Sequence, residues 1–171
     1  KKAFLEENLE GLGFSISMMF GDARKSVQSL AEQHRLFDVV FQDAFSPGKN
    51  PELWSLDYFR IIRRIMNDDG ILTTYSAAPQ VRRAMAEAGL RIAKGISTGR
   101  KKEGTIASPS RMKEEMTREE MESLAAEIKS VPYRDETLNS ARDTILNRRI
   151  SEMAEIREDR QSSKCHQAPR E

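Results

Sequence analysis

Residues 37–54, FDVVFQDAFSPGKNPELW, join an apolar run to an acidic residue, a Pro/Gly loop and a helix start, and their reading decides the fold. Val39, Val40 and Phe41 form the short continuous apolar run that a parallel strand buried on both faces requires. Asp43 then falls at the carboxyl end of that strand. Asn50 and Pro51 pair a capping side chain with a residue whose fixed φ and missing N–H suit the first helical position, so a helix is predicted from residue 51. Ligands of open α/β sheets bind in the crevice outside the carboxyl ends of the strands, which makes Asp43 a candidate functional residue by geometry alone. The same residue also suits a plain loop cap, because Asp favours turns.

The flanking sequence repeats the alternation. Residues 14–20, FSISMMF, predict a strand, followed by the turn Gly21-Asp22 and a helix to about Gln33 that carries Val27 and Leu30. The helix over 51–66 places Trp54, Tyr58, Ile61, Ile62 and Ile65 on one stripe and is expected to end at Asp69-Gly70. Residues 71–75, ILTTY, predict a third strand, and Pro79 opens a helix bearing Val81 and Met85 that Gly89 closes. Short strands at 90–93 and 105–107 flank the basic turn GRKKEG, and their proximity suggests an antiparallel edge. Strands alternating with helices indicate an α/β fold built of βαβ units around a mostly parallel sheet.

Beyond Pro109 the strand signal stops. Thr117 and Glu120 make a capping box ahead of Met121, Leu124, Ala125 and Ile128, and a further helix over 141–159 carries Ile145, Leu146, Ile150, Met153 and Ile156. The expected organisation is a sheet domain over 1–108, a helical extension over 109–160 that docks on it, and a disordered tail over 161–171. The opening KKAFLEENLEGLG reads as the end of a helix, with Phe4, Leu5 and Leu9 as its apolar face and Gly11 as its C-cap. No N-cap precedes that face, so the chain is expected to enter partway through an element.

A chain of 171 residues is long enough for one domain with a real core. Apolar residues make up 38% and charged residues 32%, and the formal net charge is only +1. The first 108 residues hold 16 basic and 13 acidic side chains, the remainder 12 and 14. Such a balance neither requires nor excludes a nucleic-acid partner, since a local basic patch suffices for one. The single cysteine, Cys165, cannot make an internal disulfide, which fits a reducing cytoplasm. No apolar run reaches membrane-spanning length and no leader pattern is visible, so no membrane association is expected.

Several motifs point to chemistry or away from it. Gly11-x-Gly13 precedes a strand and has Ile16 where a dinucleotide fingerprint needs its third glycine, so it reads as a turn. Gly48-Lys49 lacks the upstream glycine and the following Ser/Thr of a P-loop. Cys165-His166 stands without a further Cys/His cluster, so no metal is expected; His34 reads as a solvent-facing loop residue. Asp22 suits either a ligand position or the N-cap of the helix that follows it. Arg100, Lys101 and Lys102, with Arg82 and Arg83 on the helix before them, read as a solvated basic face or a phosphate-contacting one. Trp54, Tyr58 and Phe59 fit a helix core better than a stacking platform. Phe45 differs, because an aromatic in the loop beside Asp43 needs a ligand or a neighbouring loop to cover it.

The strings DAFSPGKNPELW, GILTTYSAAPQVRRAMAEAGL and GRKKEGTIAS resemble the methyltransferase domain of MnmC-like tRNA-modifying proteins over about seventy residues, in the same order and spacing. The resemblance implies a Rossmann-like, S-adenosyl-L-methionine-dependent enzyme that methylates the aminomethyl group on the wobble uridine of tRNA, here in the stand-alone form. It puts Asp43, Phe45, Pro47, Lys49, Asn50, Pro51 and Trp54 in the active-site loop, with Asp43 as the catalytic residue and a cofactor contact, and Asp22 with Ala23 at the adenine end of the cofactor. Arg100, Lys101 and Lys102 are then expected against the tRNA backbone. Ala44 departs from the family's usual Gly or Pro. The family's first strand, Gly-rich loop and ribose-holding acid have no counterpart here, so an N-terminally incomplete form is expected, with a missing segment or a homodimer making good the sheet. The other readings are a non-catalytic remnant of the fold that binds RNA or serves assembly, and an unrelated Rossmann-like enzyme with a nicotinamide cofactor, which would need the glycine fingerprint missing here.

Overall fold

The computed structural model describes residues 6–11, 13–95 and 103–165. Its central sheet has the strand order β3-β4-β6-β5, formed by β3 (Phe37–Gln42), β4 (Met66–Thr74), β5 (Arg91–Lys94) and β6 (Thr105–Ser108). β3 runs parallel to β4, with Val40 beside Leu72 and Gln42 beside Thr74. β6 enters between β4 and β5 and is antiparallel to both. The expected antiparallel edge is therefore present, formed by β5 on β6.

One face of this sheet is a core. Leu72, Ala107 and Ile92 stand side by side on it and are buried with Phe59 and Ile62 of α2 (Leu56–Arg64) and Val81, Ala84 and Met85 of α3 (Pro79–Glu87). The other face is poorly covered at β3, where Val39 and Phe41 are 50% and 78% exposed. Sheets containing parallel strands normally bury both faces.

The predicted strand at 14–20 forms as β2 (Phe14–Met19), but in a separate two-stranded sheet with β1 (Glu6–Gly11). The expected helix end is thus corrected to a strand over Glu6–Gly11, while Phe4 and Leu5 of its expected apolar face lie outside the described residues. Gly13, at φ +83°, supplies the left-handed turn residue that lets Glu6–Gly11 fold back antiparallel on β2, and this backbone pairing outweighs the local helical spacing. The hairpin turns Phe14, Ile16 and Met18 to solvent. Its other face, Ser15, Ser17 and Met19, lines a cavity of about 460 Å³ with Leu30, Gln33 and Phe37.

The predicted helix over 51–66 is two elements, a 3-10 turn at Pro51–Trp54 and then α2. Pro51 opens the first as expected, but Asn50 does not cap it; its amide donates to Glu52 Oε1 instead. The cap that matters is Ser55, whose Oγ accepts from the Tyr58 N–H. The helix ends at Arg64, not at Asp69-Gly70. The residues from Asn67 to Gly70 form an irregularity in β4, where Gly70 packs so closely on the Phe37 and Asn67 carbonyls that a Cβ would meet them at 3.1 and 3.0 Å.

After β6, α4 (Arg118–Ala126) carries the expected Thr117–Glu120 capping box, although only Leu124 of its predicted apolar stripe is buried. A 3-10 turn at Ile128–Ser130 and a loop lead to α5 (Arg142–Cys165). Ile145 of α5 is buried in the common core, but Ile150 is 63% exposed. The helix continues to Cys165, which corrects the expected disorder over 161–165; the rest of the predicted tail lies outside the described residues. Among the described residues, no helix is long and apolar enough to cross a membrane.

Candidate functional site

The site grows out of the carboxyl end of β3. Gln42, the last residue of the strand, is buried and its amide donates to the Leu53 carbonyl at 2.7 Å, tying the strand tip to the 3-10 turn. The loop between them is pinned through its carbonyls. Tyr75 Oη donates to Ala44 O at 2.8 Å, Trp54 Nε1 to Phe45 O at 2.7 Å and Arg142 to Gly48 O at 2.9 Å. Lys49 and Asn50 close a turn on Ser46 O. Side chains anchored elsewhere therefore hold a loop that has little regular structure of its own.

What this loop presents is Asp43 and Phe45. Asp43 is exposed, and Phe45 is 73% exposed although its carbonyl is fixed by a fully buried tryptophan. Burial first, and then the charge of nearby Asp43, push the Tyr75 phenol above its ordinary value, so carboxylate and phenol share one locality. Tyr75 also packs edge-on to Trp54, with ring centroids 5.9 Å apart. Pro47 is half-buried, while Lys49 is exposed.

The end of β5 and the start of β6 reach the same side of the sheet, because β5 runs in the direction of β3 and β4. Gly95 N–H donates to the Gly104 carbonyl, closing the base of the loop between them. Gly104 is required there: a Cβ would stand 2.6 Å from the Thr74 carbonyl. Arg82 secures this base by donating to Thr105 Oγ1, Gly104 O and Glu103. Arg82 is thus a buried structural cation, and Arg83 donates to Glu87, Ala125 O and Ser130, so neither is the free basic surface that the sequence suggests. Arg100, Lys101 and Lys102 lie outside the described residues.

Asp22 belongs to a second cluster. It caps α1 (Ala23–Glu32), its Oδ1 accepting the Arg24 N–H, and its carboxylate is gripped by the Arg24 guanidinium at 2.7 Å. Arg24 reaches on to the buried Asp135, also at 2.7 Å. Burial raises both carboxyls, but it is outweighed at Asp22 by the Arg24 donors and at Asp135 by the Ser140 N–H and Arg24, so both lie below the ordinary value. Tyr58 is pushed up to about 12 by burial and then by Asp22. β2 and β3 belong to different sheets, so Asp22 and Asp43 do not end adjacent strands. The residues that sequence reasoning missed are Gln42, Tyr75, Arg24 and Asp135; a polar residue ending an apolar strand was the one available signal, at Gln42.

For a nucleoside cofactor, Asp22 keeps a partly exposed carboxylate and Ala23 opens α1, while the Arg24 and Lys25 N–H groups of the first turn are already taken by Asp22. A carboxylate of this kind is an acceptor suited to the hydroxyl and amino groups of such a molecule. Two cavities among the described residues are lined by neither Asp22 nor Asp43: one lies under the hairpin, and the other, of about 540 Å³, between the end of α3 and residues 111–121.

A pinned strand-end loop with an exposed carboxylate thus stands at the carboxyl end of a mixed α/β sheet, where such sheets bind their ligands. Residues 2–110 match the model of the S-adenosyl-L-methionine-dependent methyltransferases, and the chain belongs to that family. Within it, this is an MnmC-like methyltransferase domain. The crystal structure of MNMC2 from Aquifex aeolicus superimposes with a TM-score of 0.70 at 34% identity, covering 79% of this chain and 44% of that one. The bifunctional tRNA 5-methylaminomethyl-2-thiouridine biosynthesis protein MnmC of Ralstonia nicotianae is 36% identical over 94 residues, 55% of this chain and 14% of that protein. An uncharacterized protein of Methanocaldococcus jannaschii is 33% identical over 146 residues, 84% of this chain. The chain spans 40% of that archaeal relative's length.

Proposed function

We propose that this chain carries the substrate side of an S-adenosyl-L-methionine-dependent tRNA methyltransferase, acting in the cytoplasm on the aminomethyl group of a wobble uridine. The observation that supports it most is the Asp43–Phe45 tip, an acceptor and an exposed ring on a loop fixed by Tyr75, Trp54 and Arg142. The bacterial MnmC relatives, named for 5-methylaminomethyl-2-thiouridine biosynthesis, support the choice of substrate.

When bound, the sulfonium cofactor supplies an activated methyl group. The chain's own task is then alignment, because in-line displacement depends on the geometry of approach. Asp43 accepts the amine's N–H bonds and sets its direction. The amine must shed a proton before it attacks, and the task of Asp43 is to orient it first and to accept that proton second. Phe45 offers a face for an unstacked base, as single-stranded RNA recognition commonly uses. Trp54, being buried, supports this pocket from behind. Pro47, Lys49 and Asn50 shape its wall, Asp22 and Ala23 hold the adenine end of the cofactor, and Arg100, Lys101 and Lys102 meet the phosphate backbone.

The test is transfer of labelled methyl from S-adenosyl-L-methionine to tRNA with an aminomethylated wobble uridine, using the full product of the gene. Incorporation into this tRNA, and none into tRNA lacking the aminomethyl group, is expected. Equal labelling of both would overturn the substrate assignment. The grip of Arg24 on Asp22 favours a second reading, an RNA-binding module without catalysis. That module would bind the tRNA and transfer nothing.

A further inference from the structure

Asp22 and Asp43 follow strands of different sheets, so no ladder of backbone hydrogen bonds sets their separation. The polar connection between their turns comes from elsewhere. Residues 131–142, from the end of the last 3-10 turn to the first residue of α5, touch both. On the Asp22 side, Arg24 donates through NH1 to Asp135 Oδ2 at 2.7 Å and to the Ser140 carbonyl at 3.0 Å, while its Nε and NH2 hold Asp22. On the Asp43 side, the Leu56 N–H donates to Tyr133 O at 2.9 Å and Ser55 bridges Tyr133. The Asp135 N–H donates to Asp57 Oδ2 at 2.7 Å, and Arg142 donates to Gly48 O at 2.9 Å.

Asp135 is the centre of this stretch. Its side chain is fully buried, with Oδ1 taking the Asn139 and Ser140 N–H groups while Oδ2 takes Arg24. A buried ion pair is an inefficient way to gain stability, since hydrophobic residues of similar volume do as well or better. What such a pair supplies is direction. Displacements of about an ångström at a reacting group are costly, so a device that fixes one ligand-bearing turn against another serves a transfer reaction directly.

We propose that residues 131–142 form a strap that sets the position of Asp22 relative to the Asp43 loop, with Asp135 and Arg142 as its positioning residues. The strap rests on the reading of Asp22 as a cofactor contact. Its consequence is that the helical extension, outside the family-matched residues 2–110, governs the geometry of the site.

The experiment is hydrogen exchange on the unliganded full gene product. Asp135→Asn keeps an acceptor for Asn139 and Ser140 but removes the charge that Arg24 binds. Exchange at Arg24, Lys25 and Leu56 is expected to quicken by about tenfold, with Leu72 and Ala107 unchanged. Arg142→Ala should quicken exchange at Lys49 and Asn50 and expose Trp54, the chain's one tryptophan, to acrylamide quenching. Arg142→Lys should restore both. Exchange that rises only within 131–142, or throughout the core, would overturn the strap. Calorimetric titration with S-adenosyl-L-methionine separates the two ideas. Binding by the wild type that Asp135→Asn weakens about tenfold supports positioning; equal affinity overturns it. No binding by the wild type overturns the cofactor reading of Asp22 and leaves the exchange data to decide the strap.

Discussion

Trp54 donates its indole N–H to the Phe45 carbonyl at 2.7 Å, so the most buried aromatic of the site fixes the backbone of the most exposed one. Trp54→Phe keeps most of the packing and removes the bond, leaving the Phe45 carbonyl without its buried donor. A loss of about 1–3 kcal/mol is expected, measured by urea unfolding followed by circular dichroism. Phe45→Ala should leave stability within about 0.5 kcal/mol, because its ring rests on solvent. Equal losses for both variants would contradict the division of labour between prop and platform.

Asp43 is exposed and stands at the strand tip, so Asp43→Asn removes a charge without opening a cavity. Stability should change by no more than about 0.5 kcal/mol. Methyl transfer should fall by about 10²-fold or more if the carboxylate orients the amine and accepts its proton. Steady-state kinetics on aminomethylated tRNA check this, and undiminished turnover would remove Asp43 from the site.

Much of this was legible in the sequence because it is local. The apolar run at Val39–Phe41, the proline starts at Pro51 and Pro79 and the Thr117–Glu120 box each depend on a few neighbouring residues, and each predicts its element. The first strand was not legible, because Glu6–Gly11 is a strand only through pairing with β2. Asp135 was equally hidden: its partner Arg24 lies 111 positions away, and nothing in a charged loop marks one carboxylate as buried. Arg82 misled for the same reason, since its donors turn inward to Glu103 and Thr105.

The buried pair also sets a pH dependence. Asp22 and Asp135 are held below the ordinary carboxylate value despite burial, by the Arg24 donors and, for Asp135, the Ser140 N–H. The unfolded chain therefore takes up protons at these positions before the folded one does. Their contribution to stability is complete above about pH 4 and is lost as pH falls through the depressed folded values. Urea midpoints at pH 6 and pH 3 should show a larger drop for the wild type than for Asp135→Asn, which has already lost one of the two groups. Identical drops would mean that Asp135 does not titrate with folding.

Phe41 raises a different question, because a 78% exposed aromatic in the strand β3 is an open invitation to association. Val39 on the same face is 50% exposed, and the hairpin separately exposes Phe14, Ile16 and Met18. Self-pairing of β3 is poorly matched: in the antiparallel register that pairs all of Phe37–Gln42, Asp38 of one copy would stand opposite Phe41 of the other. Association driven by this face is thus expected to be unspecific and salt-promoted rather than a discrete dimer. Phe41→Lys should suppress it, raising the concentration at which light scattering grows, while leaving Val40 and Leu72 packed on the opposite face and the unfolding midpoint little changed. A sharp dimer that survives Phe41→Lys would show that another surface holds the copies together.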